Sequence, residues 1–260
     1  MLITTRFVFV HIPKTGGDFI RRICSRHLPA DWVVPNSIAK HGPDVEIPEE
    51  YRDLPRFALV RNPWDWHVSW YHYLMGAGRP DEHRDRVRVI NPWFVELSGG
   101  FTLDFPATMR RLYDPALAAT FAPQSQVRLA AEDGVDLLTM HLRRQTGASQ
   151  AEGRITMGRF ENLRGDFAAF LGAAGVPLSD RFRLDLMERP PINRSQRSRF
   201  QDYYDEELRN LIGRLAAGTI AGYGYTFEDT GPESHQADPA TPLAPSTAGA
   251  DRPPDDRRLS

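Results

Sequence analysis

A lysine, a threonine and two glycines set directly after an apolar run can bind phosphate. The run Phe7-Val8-Phe9-Val10 reads as a strand buried on both faces, which passes through His11-Ile12-Pro13 into Lys14-Thr15-Gly16-Gly17 and then into a helix starting near Thr15. Glycine lets backbone N–H groups come close to a ligand. The helix start adds the positive end of its dipole, and Lys14 adds a compact positive charge. The lysine precedes the glycines, unlike the GxxxxGK[ST] order of a Walker A loop, which disfavours an ordinary nucleotide triphosphatase. A second pair, Arg61 and Ser69, follows the run Arg56-Phe57-Ala58-Leu59-Val60. Arg61 would stand at the carboxyl end of a strand, where open α/β sheets bind ligands, and Ser69 lies seven residues past Asn62, two helical turns along the same face. A guanidinium fork and a hydroxyl can share one anion. Two such sites at neighbouring strand ends imply a ligand with two separated phosphates.

The elements that must position these groups can be read around them. Phe19, Ile20, Ile23, Cys24 and Leu28 recur at helical spacing while Arg21, Arg22 and Arg26 take other positions, so an amphipathic helix covers the sheet until Pro29. A polar connection leads to the strand at 56–60, completing a strand, helix, strand unit. In Asn62-Pro63-Trp64-Asp65, Asn62 suits an N-cap, Pro63 the first helical position and Asp65 a box-like cap, with the helix running to about Met75. From Gly76 to Gly158 the pattern weakens. Residues 78–88 read as a charged loop, 105–113 as a helix and 135–144 as either strand or helix, together capping the cleft. Phe160, Leu163, Phe167 and Leu171 share a helical face, and a longer helix after Asn193 carries Phe200, Tyr203, Tyr204, Leu208, Leu211, Ile212 and Leu215 inward. From about Thr230 the chain is rich in Pro, Ala, Asp and Ser without apolar periodicity. The expectation is one α/β domain over 1–228, with a central parallel sheet of about four or five strands and helices on both faces, and a disordered tail over 229–260.

Composition narrows the function classes. A chain of 260 residues with 41% hydrophobic content can fill such a core, and a net charge of −2 argues against a general nucleic-acid binder while allowing a local basic cleft. Cys24 is the single cysteine, so there is no intrachain disulfide and no all-cysteine metal site. No signal peptide and no long apolar stretch stands out, so a soluble, cytoplasmic protein is expected.

His11-Ile12-Pro13-Lys14-Thr15-Gly16-Gly17, with Val60-Arg61-Asn62-Pro63-Trp64-Asp65 and Ser69 to Tyr73, resembles the sulfotransferase superfamily, particularly its carbohydrate-type branch. The likeness extends to Gly158-Arg159-Phe160-Glu161-Asn162-Leu163 and to Gly222-Tyr223-Gly224-Tyr225-Thr226-Phe227, and so spans most of residues 5–228. It implies a P-loop-like three-layer fold and 3′-phosphoadenosine 5′-phosphosulfate (PAPS) as donor, with no metal. It also implies that the loop of Lys14, Thr15, Gly16, Gly17 and Asp18 holds the 5′-phosphosulfate, and that Arg61 and Ser69 hold the 3′-phosphate. The acceptor would be a hydroxyl on a carbohydrate or glycolipid. The chain departs from the family at Asp18 and Phe19, where a threonine followed by serine or threonine is usual. Like charges about 4 Å apart repel by roughly 4 kcal/mol at an effective dielectric of about 20, so Asp18 must turn from the ligand, leaving its N–H to serve.

Sulfuryl transfer needs a base for the acceptor hydroxyl and charge stabilisation for the departing phosphate. Lys14 and the loop N–H groups suit the second task. His41 is the candidate base. It precedes the second strand in a loop expected at the same end of the sheet, related enzymes resemble it in placing a histidine about twenty residues before the 3′-phosphate arginine, and its ordinary pKa lies near 6.5. Glu46 and His11 are alternatives. Arg61 and Ser69 could instead be an ion pair and a mid-helix serine, Trp64, Trp66, Trp70, Tyr71 and Tyr73 core and cleft wall, and Arg194 and Arg197 a solvated helix start that could also reach the 3′-phosphate. Two rival functions remain open: a non-catalytic module binding PAPS or its desulfated product adenosine 3′,5′-bisphosphate (PAP), and a small-molecule kinase, for which Thr15 could hold Mg²⁺ but no carboxylate partner is evident.

Overall fold

In the runs around Phe7 and Phe57, alternate side chains point to opposite faces of an extended chain, and both faces are covered. The structure, a computed structural model describing residues 1–35, 39–76, 78–192 and 197–229, has a four-stranded sheet in the order β1 (Leu2–Ile3), β2 (Val8–Phe9), β3 (Arg56–Val60), β4 (Ile155–Arg159). β2, β3 and β4 are parallel, and β1 is antiparallel to β2. The sheet is therefore mixed rather than wholly parallel. The reason is a tight turn before the run expected to be the first strand: Thr4 Oγ1 donates to the Phe7 carbonyl (2.7 Å) and accepts from the Phe7 N–H (2.8 Å), folding the first residues back along it. Segment 32–34 covers the outer edge through Thr5 N–H to Trp32 O (2.8 Å) and Val34 N–H to Ile3 O (3.1 Å).

The helices are α1 (Gly17–His27), α2 (Pro63–Met75), α3 (Asp81–Ile90), α4 (Pro92–Leu97), α5 (Phe105–Leu112) and α6 (Pro115–Ala118). They continue with α7 (Gln126–Glu132), α8 (Leu137–Ala151), α9 (Leu163–Ala173), α10 (Asp180–Glu188), α11 (Glu206–Leu215) and α12 (Ala217–Tyr223). On one face Phe7, Phe9, Phe57 and Leu59 meet Ile20 and Ile23 of α1, Phe167 and Phe170 of α9 and Phe182 of α10. The Phe7 ring lies edge-on to Phe170 at 5.6 Å, and Phe57 stacks on it at 4.8 Å. On the other face Val8, Val10, Ala58 and Val60 meet α2, α8 and α11. The chain is thus an α/β structure with helices against both faces of the sheet.

The region from 76 to 158 is more than a cap on the cleft. Phe94, Phe105, Met109, Leu137, Leu138 and Met140 from α4, α5 and α8 belong to the same core as Val8 and Val60, and α8 packs on β3 and β4. The charged stretch expected to be a loop is the helix α3: its acidic start suits the dipole, Asp85 pairs with Arg88 (2.7 Å), and Val87 alone of its residues is buried. The late helix expected as one piece is broken. A 3₁₀ turn at Phe200–Tyr203 precedes Asp205, which caps α11 by accepting from the Leu208 N–H (2.8 Å). β4 has no counterpart in the sequence reading. Asn193, Arg194 and the tail read from about Thr230 lie outside the described residues. Among those described, no helix is long and apolar enough to cross a membrane.

Phe57 is fully buried between β2, β4 and α9. Phe57→Ala should cost about 3–5 kcal/mol, seen in urea unfolding as a lowered midpoint with unchanged slope.

Candidate functional site

The loop between β2 and α1 turns its carbonyls inward. Thr15 is fully buried, and its hydroxyl donates to the Ile12 carbonyl (2.9 Å). Trp66 Nε1 donates to the Pro13 carbonyl (2.7 Å) and Arg61 Nη1 to the Lys14 carbonyl (3.0 Å). Lys14 (φ 64°) and Gly16 (φ 86°) are left-handed, a conformation that costs a lysine roughly 1–2 kcal/mol. With three successive carbonyls bonded from within, the N–H groups of Lys14, Thr15, Gly16 and Gly17 meet no acceptor among the described residues. Such a run of donors at a helix start suits an anion. α1 begins at Gly17, slightly later than expected, and both glycines are sterically required. A Cβ on Gly16 would lie 2.5 Å from Leu163 Cδ1, and one on Gly17 would lie 2.0 Å from His11 Cδ2.

Four cations gather beside this loop. Arg61, from the end of β3, is nearly buried: Nε donates to Asp65 Oδ2 (2.7 Å), Nη2 lies 2.6 Å from the same oxygen, and the guanidinium sits 4.1 Å over the Phe160 ring. Asp65 accepts from Arg197 Nη2 on its other oxygen. Asp65 therefore does not form the expected cap box. Asn62 caps α2 through the Trp64 N–H (3.1 Å), and the Asn62 N–H goes to Glu161 instead (2.8 Å). Arg197 is likewise no solvated helix start: its side chain is 13% exposed and its Nη1 is buried without a partner among the described residues. Arg61 keeps a second N–H on each of Nη1 and Nη2, since a guanidinium has five donors.

Asp65, Ser69 and Tyr73 follow at four-residue steps along α2 and share one face. Ser69 is 8% exposed and its hydroxyl makes no hydrogen bond among the described residues. Lys14 Nζ lies 4.1 Å from the Tyr73 ring centroid and the Arg79 guanidinium 4.9 Å from it. Desolvation first, then Arg61 and Arg79, push the Lys14 ammonium down to about 7, against a smaller opposing pull from Asp18. Burial alone would raise the Asp65 carboxyl, but Arg61 and Arg197 outweigh it and hold the group below its ordinary value. Trp64, Trp66, Trp70 and Tyr71 are buried, as core and wall.

His41 lies against the same loop. Its Nδ1 is 2.8 Å from the His11 carbonyl, and the two rings are 4.5 Å apart. A carbonyl can only accept, so Nδ1 carries the proton and Nε2 keeps the lone pair. His41 is exposed at its outer side, while desolvation against the loop lowers its pKa below the ordinary value and the bond to His11 opposes this, which favours the neutral ring with Nε2 able to accept a proton. His11, the first alternative, is almost buried and pushed down to about 2 by desolvation, with Nδ1 unpartnered among the described residues. Glu46, the second, is exposed on a 3₁₀ turn at Asp44–Glu46. Asp18 forms an ion pair with Lys40 (2.6 Å), so its carboxylate has a partner outside the loop. Phe19 is buried in the core with Ile20.

The sequence reading did not single out the groups that hold these residues. Glu161 accepts from the Asn62 N–H (2.8 Å) and from the Tyr225 hydroxyl (2.9 Å), and Asn62 Nδ2 donates to the Thr226 carbonyl (2.8 Å). The two late segments that carried the resemblance thus meet at the Arg61 turn. Asp44, 4% exposed, accepts from the Ser149 N–H (2.6 Å) and fastens the His41 segment to α8. His141 of α8 lies by Trp66 (6.1 Å) and is pushed down to about 4 by burial and then by His41.

No protein-family model, curated protein or solved structure matches this chain.

Gly17→Ala should destabilise the fold by about 1–3 kcal/mol, because the His11 ring must move, and should shift the His41 imidazole resonances in NMR spectra. The depressed Lys14 also sets a pH dependence. Between about 7 and the ordinary value of 10.5 the unfolded chain binds more protons at this residue than the folded one, so stability rises with pH across that window and the penalty is complete below it. Lys14→Gln should flatten this rise when melting temperatures of the two proteins are compared from pH 7 to 10.

Proposed function

We propose that this chain is a PAPS-dependent O-sulfotransferase of P-loop-like three-layer fold, acting on a hydroxyl of a carbohydrate or glycolipid. The observation that carries the reading is the donor face of the β2–α1 loop, with Lys14 beside it, Arg61 at the end of β3, and a neutral His41 on the loop's other flank. The residues fit a donor with two phosphate-bearing ends. The N–H groups of residues 14–17 and Lys14 would hold the phosphosulfate. The remaining N–H groups of Arg61 and the hydroxyl of Ser69, unbonded among the described residues, would hold the 3′-phosphate.

The work of the chain's own residues follows from their protonation. His41 Nε2 takes the proton from the acceptor hydroxyl as that oxygen bonds to sulfur. The sulfur–oxygen bond to the phosphate breaks in the same exchange, and the negative charge gained by the phosphate faces Lys14 and the loop N–H groups. Such preorganised donors are worth about 10²–10³ in rate each. Lys14 must be charged for this role. An anion at its ammonium raises its pKa again, so donor binding near pH 7 is coupled to proton uptake.

A binding-only reading is favoured by one observation. Asp18 stands in the first turn of α1 and pairs with Lys40 where the resembled family carries a hydroxyl. ³⁵S-labelled PAPS, offered with glycan, glycolipid and phenol pools, separates the readings. Acid-labile label on glycans or glycolipids is the expected result, label on phenols alone would overturn the acceptor class, and PAP binding in calorimetry without any transfer would establish the binding module. Absence of PAP binding would sink both. His41→Ala should lower kcat by about 10²–10⁴ while PAP affinity stays within twofold, whereas Arg61→Ala should act mainly on affinity.

A further inference from the structure

Tyr73 carries two cations on one ring, and no carboxylate among the described residues is ion-paired with either. Lys14 Nζ and the Arg79 guanidinium lie 4.1 and 4.9 Å from its centroid. Neither forms an ion pair with a carboxylate among the described residues, whereas the neighbouring Arg61 and Arg197 share Asp65. The platform is fixed. His83 Nε2 is 2.6 Å from the Tyr73 carbonyl, and its ring packs edge-on against the Tyr73 ring at 5.0 Å. Arg79 is held in the turn after α2 by its N–H to the Gly76 carbonyl (3.1 Å), where left-handed Gly76 ends the helix. A cation gains from an aromatic face, but two cations within reach of one ring repel each other, and Arg79 accordingly helps to depress Lys14. An arrangement that gathers like charges with no ion-paired carboxylate is balanced when an anion binds beside them.

We infer that Arg79 is a ligand-binding residue that, with Lys14 on the Tyr73 ring, forms an anion subsite at the reacting end of the cleft. The subsite takes a phosphate, sulfate or carboxylate group. It deepens the sulfotransferase reading by adding a residue that the resemblance does not assign, and it rests on that reading only for which ligand brings the anion: the phosphosulfate of the donor, or an acidic group on the acceptor. Arg79 is half-buried beside exposed Gly78 and Pro80, so a ligand can reach it from solvent.

Calorimetric titration with inorganic pyrophosphate at low salt tests the subsite without reference to PAPS. Wild-type protein should bind, Arg79→Gln should weaken binding tenfold or more, Arg79→Lys should recover part of the loss, and Arg214→Gln, an exposed charge on α11, should leave it unchanged. Pyrophosphate that does not bind, or that binds Arg79→Gln as tightly as wild type with the fold intact by circular dichroism, overturns the inference. Its source is then read from two further measurements. A matching loss of PAP affinity assigns the anion to the donor, whereas unchanged PAP affinity with a raised KM for uronate or sulfated glycans, but not for neutral ones, assigns it to the acceptor. Pyrophosphate binding without PAP binding leaves the subsite standing and removes the sulfotransferase reading alone.

Discussion

Asp65 places a single negative charge between two guanidinium groups in a setting where water scarcely reaches it, with its side chain only 7% exposed. A carboxylate taken out of water alone would be strongly disfavoured, and a guanidinium likewise; held together, each supplies the other's counterion. The bridge also fixes geometry. Arg61 reaches from Asp65 to the Lys14 carbonyl (3.0 Å), so the end of β3, the start of α2 and the β2–α1 loop are tied at one point, and Arg197 brings the late segment to the same carboxylate. Breaking a buried pair of this kind by removing one partner costs about 3–5 kcal/mol, which makes Asp65 the structural centre of the site.

The same bridge explains why Arg61 is both structural and available. A planar fork has more donors than one carboxylate can take. With Nε and Nη2 facing Asp65 Oδ2 and Nη1 on the Lys14 carbonyl, the guanidinium is held in place before any ligand arrives. An arginine free to rotate would lose side-chain entropy on binding; one already held loses less. The readings of Arg61 as ion pair and as anion ligand are therefore compatible.

What could be read from the sequence was local. An apolar run, a glycine loop and a helix follow one another within about twenty residues, and Asn62-Pro63 marks the start of α2, so the placement of Lys14 and the extent Pro63–Met75 were legible from propensity and capping. The partners of Asp65 were not. Arg197 is 132 positions away in the chain, and nothing in residue type separates a buried guanidinium from a solvated one. β4 escaped for a similar reason: Ile155-Thr156-Met157-Gly158-Arg159 is short and contains a glycine that reads as a breaker. Gly158 is there because a Cβ would lie 2.7 Å from the Phe57 ring. α3 was hidden by its charges, since it buries only Val87 and its other polar residues reach solvent or the end of α2, as Arg84 does to the Met75 carbonyl (2.9 Å).

Charge balance then separates the two ends of the site. Around Asp65 the two guanidinium groups share an internal counterion, although Arg197 Nη1 meets no partner among the described residues. Around Tyr73 the two cations share no ion-paired carboxylate among the described residues. Each cation–π contact contributes about 0.5–2 kcal/mol, while Lys14 and Arg79, gathered on one ring, still repel each other. Lowering the Lys14 pKa to about 7 relieves part of this by letting the ammonium lose its proton. His41, on the far flank, is likewise lowered in pKa chiefly by desolvation, and its Nδ1 proton is committed to the His11 carbonyl. An arriving anion would restore the charge on Lys14, as the proposed transfer requires of it, while His41 would keep its Nε2 lone pair for the role proposed for it. The ligand-free site thus holds Lys14 near its protonation boundary at pH 7, and an anion beside it would tip the group to its charged form.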